Sequence, residues 1–416
     1  MAPKNKLLMV ALEYPPCQSA GVERTLRFSQ YLPEHDWQPI VITGRPKIYE
    51  QTDLGQTIPA HIEPYIKRAW ATDVARNLSF HGKYFAWTKI PDRWWSWSFD
   101  AIRQGKQSIR QERPNAIWST FPVTTAHFVA YRLSRWSGLP WIADFRDPLP
   151  FRYDPSTRTY STAARWIEQQ TIRHCSKAVF TSKHAEELYR GLYPNENPSK
   201  FVTIENGYDE SNFAGIGTHS EKPSARFQLL HSGSIYGDGR DPKPLFAALA
   251  TLKSKGVISH QTFQLLFRGS GCDNQYLAEL ERYDINDVVE FLPSIPLKQS
   301  VEESYNADAL LLLQGALFHY QIPGKVYQYI RAGRPILAIT SSDSATDTLL
   351  SANTSAHVCY DQEGIETQLT ALLSRKIIQP ESPDGYTRKR RTEELALLLD
   401  QVVHPSNKVS APGIKR

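Results

Sequence analysis

Cysteine is scarce in this chain, long apolar runs are missing, and no tryptophan occurs beyond Trp166. Each absence excludes something. The four cysteines, Cys17, Cys175, Cys272 and Cys359, stand far apart, with no C-x-x-C pair and no histidine cluster beside them. That argues against a disulfide scaffold or a structural zinc site and fits a reducing cytoplasm. The richest apolar run, Ala307 to Phe318, contains Asp308 and Gln314. It falls short of the ~18 residues of a membrane-spanning helix. The run from Leu7 to Leu12 is too short for a signal-peptide core. The expectation is a soluble cytoplasmic protein, associated at most with a membrane surface. There is no short repeat and no low-complexity tract.

What is present is alternation. The 416 residues suffice for two domains, at roughly 100–200 residues each. Apolar runs of strand length, at 6–12, 38–43, 116–119, 141–145, 178–181 and 201–204, are separated by amphipathic helical stretches. A second series follows at 228–231, 264–267, 288–291, 309–313, 336–339 and 357–359. Such alternation predicts α/β architecture with parallel sheets covered on both faces. Two series of six strands predict two doubly wound, Rossmann-like domains. The turn-rich Asn206-Gly207-Tyr208-Asp209 marks the break. The expected domains are 1–206 and 207–405, with 406–416 as a tail. Ligands of doubly wound domains bind at the carboxyl ends of the strands, so the site is expected in a cleft faced by both domains.

Several strand ends carry chemistry. Gly21 precedes a helix from Val22, with Arg24 in its first turn, where free N–H groups accept an anion. A plain βα turn would look the same. Asp144, Arg146 and Asp147 end the strand 141–145, where buried charge is costly unless paired or functional. They read either as an acceptor-positioning cluster or as an Arg–Asp pair bracing the loop. His231-Ser232-Gly233-Ser234 leads into a glycine-containing loop with Arg240 and Lys243, and Gly269 follows the next strand. The most informative stretch predicts a helix from Pro323 to Gly333. Gly324 and Lys325 at its start give free N–H groups, a favourable dipole and a cation, which suits a diphosphate.

At this point the chain resembles the family-4 type of glycosyltransferases with the GT-B fold. The resemblance rests on Tyr14-Pro15-Pro16 with Gly21 and Arg24, and on Pro91-Asp92-Arg93. It continues through Gly138-Leu139-Pro140-Trp141 into Asp144–Pro148, then Thr181-Ser182, Asn206–Asp209 and the segment 323–337. It implies transfer of a sugar from a nucleotide-sugar donor to an acceptor hydroxyl, usually with retention. The C-terminal domain would hold the donor and the N-terminal domain would face the acceptor. The nucleotide sugar is then a co-substrate; no cofactor and no obligatory metal are expected. The chain departs from the family where two glutamates usually stand, at Tyr320 and Gln328. Arg146 occupies the place of a frequent histidine, and Gly233-Ser234 replaces a Gly-Arg pair. The alternatives are a nucleotide-sugar epimerase of the same fold and a non-catalytic partner subunit.

Segment 66–136 is unusual in composition. It holds 12 Lys/Arg against 4 Asp/Glu and seven of the ten tryptophans. Trp94, Trp95, Trp97 and Phe99 lead into Arg103, Lys106, Arg110 and Arg113. This pattern suits an anionic membrane surface, and similar enzymes often use lipid-linked or saccharide acceptors in cell-surface synthesis. The same tryptophans could instead be core. No nucleic-acid module is recognised, and no nucleic-acid partner is expected.

Overall fold

A computed structural model describes residues 3–19, 21–53, 55–73, 91–149, 162–216, 226–235, 237, 239–353, 355–374 and 384–404. The expected tail at 406–416 lies outside them. The described chain divides into two compact units.

The first unit is built on seven parallel strands: β1 (Asn5–Val10), β2 (Trp37–Gly44), β3 (Ile66–Ala69), β4 (Ala116–Thr120), β5 (Trp141–Arg146), β6 (Lys177–Phe180) and β7 (Phe201–Thr203). Their order is β3-β2-β1-β4-β5-β6-β7. Between them run α1 (Val22–Tyr31), α2 (Trp97–Glu112), α3 (Thr124–Ser137), α4 (Thr162–His174) and α5 (Lys183–Leu192). All residues of β2 are buried, as an inner strand covered on both faces requires. Local chemistry sets the helix ends. Ser182 accepts from the Ala185 N–H to start α5, and Gly138 closes α3 in the left-handed conformation that glycine tolerates best. The strand order reverses between β1 and β4, and the carboxyl ends there form the expected ligand edge.

The second unit repeats the plan. Six parallel strands, β8 (Phe227–Ser232), β9 (Phe263–Arg268), β10 (Val289–Leu292), β11 (Ala309–Gln314), β12 (Ile336–Thr340) and β13 (Ala356–Cys359), lie in the order β10-β9-β8-β11-β12-β13. The helices are α6 (Lys243–Ser254), α7 (Leu277–Arg282), α8 (Leu297–Asn306), α9 (Gly324–Ala332), α10 (Ala345–Ser351) and α11 (Gln362–Leu373). Strand β11 explains the two layers. Ala309, Leu311 and Leu313 pack with Leu249 of α6 and Leu369 of α11, while Leu310 and Leu312 pack with Val326 and Ile330 of α9. A continuous apolar run is the signature of a strand buried on both sides.

Two sequence expectations need correction. Strand β3 was missed, because Ile-Lys-Arg-Ala is short, half-buried at a sheet edge and carries no apolar run. The domain limits also differ. The second unit ends at Thr387, and the chain from Arg388 onward returns to the first unit. There the last helix, α12 (Arg388–Val403), buries Leu395 and Leu399 and packs on α1. The Trp37 indole N–H donates to Asp400 at 3.0 Å, and Arg391 pairs with Glu205 at 2.9 Å.

Candidate active site

In the first unit, two expected site residues bind each other. Arg24 and Asp144 are both buried. Arg24 Nε and Nη2 donate to the two Asp144 carboxylate oxygens at 2.8 and 3.0 Å. The same guanidinium donates to the carbonyls of Ile204 and Glu205, each at 2.9 Å, and the Thr120 hydroxyl donates to Asp144 at 3.0 Å. Both groups are saturated. They brace α1 against β5 and the segment after β7.

The neighbouring residues differ. Arg146 sits at φ 60°, where a β-bulge interrupts the pairing of β5 with β6. A non-glycine residue in that region costs roughly 1–2 kcal/mol. Arg146 Nη1 donates to the Phe121 carbonyl at 3.3 Å, and Nε is buried with no acceptor among the described residues. Asp147 accepts from the Thr181 hydroxyl at 3.1 Å, and its carboxyl is pushed up by burial, which nearby Arg146 partly offsets.

Glu13, which the sequence reading passed over, belongs to this edge. Burial raises its carboxyl; the Ser19 hydroxyl, donating at 2.6 Å, and Arg146 oppose the rise. At Gly21 a β-carbon would come within 1.9 Å of the Glu13 carboxylate, which would then have to shift. Gly21 therefore makes room for the acid. Glu13 opens on a cavity of about 410 Å³ lined also by Cys17, Ser19, Tyr49 and Trp94. The Trp94 indole N–H is buried there without an acceptor among the described residues. A carboxyl, an unmatched N–H and aromatic faces are the chemistry that holds a polyhydroxylated ring.

The motif Asp92-Arg93 next to Trp94 is structural. Asp92 accepts from the backbone and hydroxyl of Thr125 at 2.7 Å, fixing the start of α3. Arg93 pairs with Asp73 and lies 4.6 Å over the Trp94 ring. The tryptophans of 66–136 divide. Trp97 and Trp118 are core, against the expectation that Trp97 is a surface residue; Trp70, Trp136 and Phe99 are exposed. Lys106 and Arg110 both stack on Trp136, at 5.1 and 5.3 Å. Trp87 lies outside the described residues.

In the second unit the reversal of strand order falls between β8 and β11, and α9 begins there. The Val326 N–H bonds the Pro323 carbonyl at 3.0 Å, the Gly324 and Lys325 N–H groups precede the helix's own ladder, and the space around Gly324 is open. Lys325 turns back over the end of β8, donating to the Ser232 carbonyl at 2.7 Å and approaching His231 Nε2 at 3.4 Å. Gly233, at φ 109°, passes beneath it; a β-carbon there would lie 3.1 Å from Nζ. Burial and the like charge of Arg240 pull the Lys325 ammonium down to about 7. Gln314, at the end of β11, is buried with its carbonyl oxygen unpartnered among the described residues.

The remaining expected residues fall differently around this point. Arg240 acts on both Lys325 and His231 and lies 5.6 Å from the Phe318 ring. Gln328 lies one turn beyond Gly324 on α9, Ser234 is exposed after Gly233, and Tyr320 packs on His319. Gly269 closes β9 against Ser294 at φ 64°. Lys243 does not join the group: it is half-exposed and pairs with Glu279 at 2.8 Å. His231 and Gln314 were missed as site residues, because each stands in an apolar strand and its neighbours are distant in sequence. Among the described residues no group of three His, Cys, Asp or Glu side chains could hold a metal. No described helix is long and apolar enough to cross a membrane.

Comparison with known proteins supports the resemblance. Residues 20–212 match the family model of Glycosyltransferase Family 4. No curated protein matches the chain in sequence. Among solved structures, the α,α-trehalose 6-phosphate synthase of Burkholderia multivorans is similar over 99% of this chain and 100% of that one, with 11% identity and a TM-score of 0.65. Anabaena HepE in complex with UDP is similar over 97% and 99%, with 12% identity and a TM-score of 0.58. A UDP-N-acetylglucosamine 2-epimerase is similar over 99% and 100%, with 11% identity and a TM-score of 0.56. The two doubly wound units are therefore the GT-B fold, and the first part of the chain carries the family-4 pattern.

Proposed function

For a GT-B chain whose first part matches glycosyltransferase family 4, we propose transfer of a sugar from a nucleotide-sugar donor, held by the second unit, to an acceptor hydroxyl held by the first. One observation carries the donor assignment. Lys325 is a half-buried cation at a helix start, over a glycine turn, with no carboxylate within ion-pair distance among the described residues. A diphosphate supplies the missing negative charge. Helix N–H groups, Lys325 and Arg240 would then stabilise the charge that grows on the departing nucleoside diphosphate. The UDP bound by HepE supports this choice of ligand. On the first unit, Glu13 and Trp94 face the cavity suited to an acceptor sugar, with Arg146 and Asp147 beside Glu13.

Calorimetry with UDP and GDP tests the donor site. One of them is expected to bind, and Lys325→Glu to weaken it at least tenfold, since a charged hydrogen bond contributes about 1.5–3 kcal/mol. Binding of neither nucleotide would overturn the reading. Product analysis without acceptor separates transfer from epimerisation, and nucleotide binding without turnover across an acceptor panel would favour a non-catalytic partner.

The finer reading places the enzyme in bacterial cell-surface polysaccharide or glycolipid synthesis, at the inner membrane face. It rests on exposed Phe99 and Trp70 and on Arg103, Lys106 and Arg110 along α2. Each cation near an anionic surface contributes about 1 kcal/mol. Changing Arg103, Lys106, Arg110 and Arg113 to Glu is expected to abolish co-sedimentation with phosphatidylserine vesicles while leaving UDP affinity intact. Equal sedimentation of the unaltered protein with neutral vesicles would remove the membrane role.

A further inference from the structure

The surroundings of Lys325 imply more than an anion site. The His231 Nδ1 lies 3.0 Å from the Leu311 carbonyl, which can only accept. With the proton on Nδ1 to serve that carbonyl, Nε2 is the acceptor that faces Lys325; the Ser234 backbone is a further hydrogen-bond neighbour of the ring. His231 is fully buried, and burial together with Lys325 holds its basicity well below the usual histidine range. It is a neutral partner and supplies no counter-charge.

Among the described residues no other neighbour supplies one. Arg240 has the same sign as Lys325. Tyr329, on the same helix, accepts from the Ser232 N–H and is pushed up to about 12, so it stays neutral. Glu303 of α8, the helix packed against α9, is held by both prongs of Arg268 at 2.6 and 2.9 Å. The half-buried amine thus has two neutral acceptors, Ser232 O and His231 Nε2, and one cation nearby.

We propose that a nucleoside diphosphate enters this site together with one proton, taken from solvent by the Lys325 amine, and that His231 is the positioning residue that holds the amine to receive both. No bond of the nucleotide breaks in this step; Lys–NH2 and a solvent proton become Lys–NH3⁺ beside the diphosphate. The inference rests on the donor site proposed above. Its consequence is a donor affinity that declines above neutral pH, where the Lys325 amine of the empty site is uncharged, and levels off below it.

The test is calorimetry of UDP at pH 8.0 in HEPES and in Tris, whose ionisation heats differ. The diphosphate of UDP is ionised there, since a terminal phosphate loses its last proton at pH ~6. Uptake of about 0.5–0.9 proton per UDP is expected, with Kd rising up to about tenfold per pH unit from 7.5 to 9. Lys325→Arg keeps its charge and is expected to bind with no uptake and a flat profile. If Arg does not fit above Gly233, Lys325→Met must also lose the uptake. His231→Leu is expected to weaken UDP about tenfold and to lose the proton count as well. UDP bound by the unaltered protein with no proton taken up would overturn the inference and leave the donor site standing. No UDP binding would overturn both. Uptake retained in Lys325→Arg would place the proton elsewhere, and wild-type binding and uptake in His231→Leu would remove His231.

Discussion

Arg24, buried in the first unit, and Lys325, half-buried in the second, are both cations beside the carboxyl ends of parallel strands. Their partners differ. Arg24 meets a carboxylate with both prongs and the carbonyls of Ile204 and Glu205. Lys325 meets one carbonyl and one neutral imidazole. Burial of charge is costly in either case, and only the first arrangement cancels the cost within the protein. The contrast separates a brace from a binding group. A charge at a strand end is a ligand contact when the structure leaves it uncompensated.

That contrast can be broken by mutation. The largest effect is expected for Arg24→Ala or Asp144→Ala, each leaving one buried charge without its partner at a cost of about 3–5 kcal/mol. Chemical denaturation would measure it. Folded variant protein should still bind UDP as before; a loss of affinity without loss of stability would return the pair to the site. An intermediate effect concerns Arg146. Arg146→Gly and Arg146→Ala both remove the guanidinium, and both should lose turnover. Only glycine relieves the left-handed backbone, so Arg146→Gly should be the more stable of the two by about 1 kcal/mol. Equal stability would mean that the bulge carries no strain. The smallest effect belongs to Lys243→Ala. An exposed pair contributes little, so UDP affinity should stay within about twofold. A larger fall would bring Lys243 back to the phosphate site.

Much of the fold was readable because buried parallel strands are apolar throughout. Run after run, from Leu7 to His357, stands within a residue or two of the observed strand. Helix α9 begins after Pro323 and stops at Gly333, as its end signals required. Strand β3 escaped because edge strands need no apolar run. The return of α12 escaped because local pattern records which face of a helix is apolar and not which core it meets. The site was readable only where one segment carries it. Gly324 and Lys325 are adjacent, and the pairing rules for helix starts apply to them directly. The bond between Arg24 and Asp144 spans 120 residues, and Lys325 lies 94 residues from His231. Spacing in sequence cannot tell a brace from a ligand contact; Asp144 and Arg146 differ by a bulge that no residue pattern announces.

The return of α12 bears on how this protein is made. Residues 1–206 leave the ribosome first, but their unit lacks the helix that packs on α1 and anchors Trp37 through Asp400. The segment 207–387 must be synthesised before that helix exists. The inserted unit can therefore finish folding on the nascent chain while the unit that began earlier still has an open flank. A stop codon after residue 387 would leave the second unit whole and strip the first of its last helix, although the truncation lies far from that unit in sequence.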